Sequence, residues 1–401
     1  ELYLQDFAVR SIVPLTPPEE KWLWDYWGPA QREHNPVLGR LDAVIDFTSP
    51  MWKDSLLFME PNLSGVGGLH LIPACEQLLA DMVLPVLQTY EPSLRMTVGQ
   101  DLRELFIQEV MDHLEAIGRP GRNVCFIEPK YSGDGPAEQE ALARYYHAEH
   151  GLNILHADPT ELYMKDGEVW YADQKVDIGY RDYEVRDIVA LEAEEGINIR
   201  PLRTLFKQNR IISSLAGDFD HKSCWEVLTD AQFTHKYFSA EERQVFRRHV
   251  LWTRVLADRR TTLPDGESGS LLEYVRREHE ILVLKPNRSY GGDRVIVGPA
   301  VTASEWEAAV EKAMKDQDQW VVQRLARIPV SDFPVVTPDG QVSVEPFYVV
   351  MGFAPTKYGV ATLGRASQKM VVNVSQRGGL CSALIGRPAG RLSGPRVPVS
   401  V

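Results

Sequence analysis

Hydrophobic positions change period along the chain, and those changes mark out its elements. Residues 41–47 and 56–61 form short β-like apolar runs, and a Gly-rich turn follows at 64–68. A helical pattern covers about 71–87. A second covers 100–117, where Leu102, Leu105, Phe106, Val110, Met111 and Leu114 recur at helical spacing. A linker at 118–123 leads into strand 124–128, helix 137–150, strand 152–156, a hairpin of 162–164 with 169–171, and strand 176–180. A β–α–β unit this short predicts a small parallel sheet with helical cover. Residues 187–279 read as mostly helical. Strands return at 281–285, 295–297, 320–323, 342–350 and 369–374, around one helix at 303–315. The tail 387–401 is rich in Pro, Gly, Arg and Ser and is expected to be poorly ordered.

At 401 residues the chain is too long for one small core. The expected units are 1–120, 121–200 as a small α/β domain, 201–386, and the tail. Trp22, Trp24 and Trp27 near the start read as an arm packed onto the main body, with a sugar platform as the alternative. A net charge of −13 argues against a nucleic-acid partner, which would require a basic stripe. Cys75, Cys125, Cys224 and Cys381 form no CxxC pair, so buried thiols in a reducing cytoplasm are expected rather than zinc or disulfides. No run of about 18 apolar residues and no leader pattern is visible, so no membrane span is expected. A homodimer is the default oligomeric state.

Four segments carry chemistry. In 281–298, ILVLKPNRSYGGDRVIVG, an apolar strand delivers Lys285 beside a glycine-containing turn. Such a turn can aim backbone N–H groups at anionic oxygens, with the lysine as a point charge. An ordinary hairpin with a surface lysine is the alternative. In 58–68, FMEPNLSGVGG, Glu60 and Asn62 stand two apart on a strand and share a face. A carboxylate and an amide oxygen side by side suit Mg²⁺, although a strand end with a capping Asn has the same pattern. In 213–228, Lys222 opens a helical stretch as either a second phosphate lysine or a solvated helix start. Asp218 and Asp220 beside it read as a turn and helix cap, with metal contact as the alternative. In 320–325, WVVQRL, a strand and its connection place backbone groups where an adenine edge could pair with them.

Together these segments resemble the circularly permuted ATP-grasp proteins, which include eukaryotic glutathione synthetase and glutathionylspermidine synthase, and in particular their type 2 bacterial members. The resemblance covers roughly 41–386 and rests on motif order, since Glu60-Pro61-Asn62 precedes Lys285 where ordinary ATP-grasp enzymes have the reverse. It implies an α/β (α+β) ATP-grasp fold with a small parallel-sheet substrate domain. It also implies an ATP-dependent ligase that joins a small-molecule carboxylate to an amine through an acyl phosphate. The amine would be borne by an amino acid, a peptide, a polyamine or a carrier protein.

By the same resemblance Glu60 and Asn62 would hold Mg²⁺, and Lys222 and Lys285 would bind ATP. Gly291 and Gly292 would cover its phosphates. Residues 322–325, with Gln323 and Leu325, would form the adenine hinge, and Glu345 would contact the nucleotide. Arg365 would hold the substrate carboxylate, Arg181 and Tyr183 would stand on the substrate side, and Gly378 and Gly379 would belong to a lid. One departure stands out. Family members carry an acid in the lysine loop, whereas 287–290 here reads Asn-Arg-Ser-Tyr. Asn287, Asp293 or Glu345 would then complete the metal shell. A degenerate ATP-grasp module that binds nucleotide or a protein partner without ligation is the alternative function.

Overall fold

The computed structural model describes residues 1–131, 138–289, 292–337, 339–370, 372 and 378–386. The predicted tail 387–401 and Gly291 lie outside the described residues. Three sheets organise the rest. A wide antiparallel sheet runs Leu57–Asn62, Arg40–Val44, Val342–Thr356, Gly359–Ser367 and Gly379–Cys381, with Val330–Val336 also paired to Val342–Thr356. A narrow antiparallel sheet runs Thr253–Val255, Trp320–Arg324, Leu282–Pro286 and Ile296–Val297. A parallel sheet runs Ile211–Ile212, Ile178–Arg181, Asn123–Ile127 and Asn153–Ala157.

The parallel sheet is covered on both faces, as parallel pairing by crossover connections requires. Val124, Phe126, Ile178, Tyr180 and Ile212 pack with helix Leu102–Ala116 on one side. Cys125, Ile127, Leu155, Ala157 and Ile211 pack on the other with Tyr3, Trp22 and Leu23. The N-terminal aromatics therefore include core residues, and Trp22 meets Phe206 edge-on at 5.1 Å.

The narrow sheet shows strand alternation directly. Leu282, Leu284, Trp320 and Val322 join a core under helices Leu271–Arg277 and Ala303–Lys315. Val283, Lys285 and Gln323 point the opposite way, and the register pairs Val283 with both Val297 and Gln323. Helix Ala303–Lys315 starts where the sequence predicts because Thr302 and Glu305 form a capping box.

Several element expectations change, and Val330–Val336 is one strand that was not anticipated. Thr253–Val255 is a strand inside the stretch read as helical. Gly359–Ser367 is a strand that was not anticipated, whereas Lys369 and Met370 of the predicted 369–374 run lie in a bend. The predicted 342–350 strand extends to Thr356. One helical run among the described residues, Leu71–Tyr90, is long and apolar enough to cross a membrane by length and composition, at mean hydropathy 1.3.

That run also holds Glu76, 3% exposed, with Oε1 lacking a hydrogen-bond partner among the described residues. Burial pushes its carboxyl up to about 7, and the charge of Asp101 adds to the effect. A carboxyl raised in the folded state contributes stability below its unfolded value and loses it as pH rises toward 7. Glu76→Gln is expected to flatten this loss and stabilise the protein at pH 8 by on the order of 1–2 kcal/mol. Urea denaturation at pH 5 and 8 checks it; equal midpoint changes at both values would contradict it.

Candidate functional site

The wide and narrow sheets face each other across a cavity of about 880 Å³. Strand register decides which side chains enter it. In the wide sheet Arg40 pairs with Asn62, Asp42 with Glu60 and Gly352, Gly352 with Leu363, and Val350 with Arg365. Directly paired residues share a sheet face. Arg40, Asp42, Glu60, Asn62, Val350, Leu363 and Arg365 accordingly all line the cavity. The narrow sheet contributes Val283, Lys285, Val297 and Gln323 from its outward face, and Leu325 follows. The loop before helix Cys224–Thr229 adds Asp220 and Lys222, and the end of the parallel sheet adds Asp182 and Glu184.

The polar groups are tied into two sets. Asp42, 1% exposed, accepts from Arg40 Nε at 2.8 Å, Arg365 Nη2 at 2.6 Å and Asn62 Nδ2 at 3.2 Å. Burial opposes its charge, but Arg40 and Arg365 outweigh burial and hold the carboxyl below the usual carboxylate range. Arg365 Nε is buried with no hydrogen-bond partner among the described residues. In the second set Lys222 Nζ donates to the Ser289 carbonyl at 2.7 Å and lies 3.7 Å from Glu60 Oε2. Lys285 Nζ donates to Gln323 Oε1 at 2.9 Å. Gln323 is itself fixed, because its Nε2 donates to the Met59 carbonyl and to Thr253 Oγ1, both at 2.8 Å.

Lys285 makes no ion pair among the described residues. Burial pulls its ammonium below lysine's usual value; Glu60 opposes this and Lys222 reinforces it. Asp220, 5% exposed, accepts from the Leu63 N–H at 2.8 Å and is pushed up by burial to about 7.

Of the residues singled out in the sequence, Glu60, Asn62, Lys222, Lys285, Gly292, Gln323, Leu325 and Arg365 line this one cavity. Val322 of the predicted hinge faces the core instead. Arg181 does not reach the cavity. Its side chain is 0% exposed and is occupied by Asp218 at 2.6 Å and by the carbonyls of Ser213 and Ser214. Tyr183 packs at the margin of the core that holds Trp22.

Glu345 is also elsewhere. It lies at odd parity to Val350 on the same strand, so it faces away, where it accepts from Ser343 Oγ at 2.8 Å. None of the three residues expected to complete a metal shell lines the cavity. Asn287, 2% exposed, is used up by Ser223 and Gln319, and Asp293 is 69% exposed beside Arg294. Gly379 pairs with Ala366 at the sheet edge, and its neighbour Leu380 reaches the cavity.

Asp220 lines the cavity and Asp218 does not, while Arg40 and Asp42 were not singled out as binding residues. The Arg40-x-Asp42 spacing on a predicted strand carried the same one-face signal as Glu60-x-Asn62.

The oxygen donors fit a small hard cation. Asn62 turns its amide nitrogen to Asp42 and to the Arg40 carbonyl, so Oδ1 is not used in those bonds, and Glu60 lines the same cavity from the same strand. Among the described residues no group of three or more His, Cys, Asp or Glu side chains is arranged to hold a metal. Mg²⁺ does not require one, since it takes one or two protein oxygens and completes its shell with phosphate and water.

No family model matches the chain, and no curated protein matches it. Among solved structures it is similar to a glutathione synthetase like-effector from Globodera pallida in its apo form. The TM-score is 0.52 and the identity 11%, over 95% of this chain and 86% of that one. At this identity the likeness is one of fold alone, a mixed α/β architecture.

Proposed function

We propose that the protein is an ATP-dependent carboxylate–amine ligase of the circularly permuted ATP-grasp type. The observation that carries this is the convergence of Glu60 and Asn62, Lys222, and Lys285 on one cavity from three distant parts of the chain. Val283, Val297 and Leu325 form an apolar wall suited to a base, and the two lysines stand where a polyphosphate would need positive charge. Glu60 and Asn62 would hold Mg²⁺, which supplies charge neutralisation on the phosphates.

Arg365 and Arg40, joined through Asp42 on the same wide-sheet face, would orient a substrate carboxylate. The carboxylate oxygen attacks the γ-phosphorus and ADP leaves. The amine nitrogen then attacks the acyl carbon and phosphate leaves. The protein's part is to hold two anions together and keep water from the acyl phosphate.

An ADP-release screen with Mg-ATP against amino acids and polyamines tests this. Release that depends on both a carboxylate and an amine supports ligation. No release under any pair, with a thermal shift on adding Mg-ATP, supports a nucleotide-binding module without ligation. The observation that favours this second reading is that no carboxylate from the described part of the lysine loop lines the cavity.

A further inference from the structure

We propose that Glu19 and Arg288 are positioning residues for Lys222, so that the N-terminal arm is a built-in part of the anion site. The arm's helix Pro17–Tyr26 begins with a capping box in which Glu19 Oε2 accepts from the Thr16 N–H and hydroxyl, both at 2.8 Å. That contact immobilises the Glu19 carboxylate, which is 2% exposed. The same carboxylate then receives Arg288 as a two-pronged pair, Nη1 to Oε2 at 2.9 Å and Nη2 to Oε1 at 2.7 Å. Such forked pairs fix orientation as well as distance. Arg288 Nη2 also donates to Glu184 on the cavity wall.

Arg288 precedes Ser289, whose carbonyl is the nearest acceptor of Lys222 Nζ. Neighbouring Asn287 closes the connection from the other side. Its carbonyl accepts from the Lys222 N–H at 3.2 Å, and its side chain accepts from the Ser223 N–H at 2.8 Å. The path is therefore continuous: Glu19, Arg288, Ser289 carbonyl, Lys222 ammonium, Glu60. It also gives the unusual loop residues a role. Where an acid was expected, Asn287 and Arg288 tie the loop down.

This rests on the ligase reading only for what Lys222 binds, and the test has a ligand-free arm. Lysine acetylation by a small activated ester, resolved residue by residue by mass spectrometry, is followed in the intact protein and in Glu19→Gln and Arg288→Lys. Glu19→Gln keeps an acceptor for the cap and serves if the Arg288 variant does not fold. Lys222, 9% exposed, is expected to label at least ~3-fold faster in the variants, while Lys165 and Lys315 are unchanged. Mg-ATP affinity is expected to fall by a similar factor, with no further fall when Glu19→Gln is added to Lys222→Met.

Unchanged Lys222 labelling overturns the proposal. A uniform rise at Lys165 and Lys315 overturns it too, since the clamp would then serve overall stability alone. If Lys222 labelling rises but the parent protein binds no Mg-ATP, the positioning role stands and the ligase reading fails.

Discussion

Lys285→Met is expected to weaken Mg-ATP binding by at least ~100-fold while leaving the ligand-free protein no less stable. The two halves of this result have one cause. Lys285 stands near the end of a strand, part-buried in the cavity wall, and burial there pulls its ammonium below lysine's usual value. Among the described residues its one close partner is the neutral amide oxygen of Gln323 at 2.9 Å. A desolvated cation without a counter-ion is unfavourable in the empty protein, and a methionine of similar length relieves that. With a phosphate in place the same desolvation strengthens the attraction, and its loss is felt in full. Calorimetric titration together with urea denaturation checks both signs. A variant that loses stability and keeps its affinity would place Lys285 among ordinary structural residues.

The second large effect is the opposite in kind. Asp42→Ala is expected to cost roughly 3–5 kcal/mol of folding stability, because it leaves the Arg40 and Arg365 guanidinium groups sharing a cavity wall with no anion between them. The parent carboxylate takes 2.6 Å and 2.8 Å contacts from these two groups while 1% exposed. Its folded-state titration is held below the usual range against burial by the two arginines. Its contribution is thus present above about pH 4, the unfolded value, and is lost as pH falls through the depressed folded value. The gap between parent and variant should be full at pH 7 and narrow on acidification below about 4. Denaturation midpoints across that window provide the measurement. A gap independent of pH would mean that the cost is packing alone.

Legibility from the sequence followed the strength of the local signal. The 281–298 segment was readable because an alternating strand delivers Lys285 to one face and Leu282 and Leu284 to the other. Glu60 and Asn62 were readable by the same two-residue rule. The rule reaches no further than a face, however. Arg181 also ends a strand next to polar residues, but its sheet is covered on both sides, and nothing local shows that Asp218 waits beneath it. Glu345 is separated from Val350 by an odd number of positions, and register alone told the two faces apart. Gly359–Ser367, sequence GVATLGRAS, was missed because small residues give a weak strand signal. That strand is stabilised by its partners on either side. Arg288's link to Glu19 spans 269 positions and is a property of the folded chain alone.

A structure of the protein grown with a non-hydrolysable ATP analogue and Mn²⁺ decides whether the cavity is a Mg-ATP site. Terminal phosphates are expected within hydrogen-bond reach of Lys222 and Lys285, with an anomalous peak against Glu60 and Asn62. Nucleotide bound on another surface, or a cavity that stays free of it at millimolar analogue, would mean that these side chains do not form a nucleotide site.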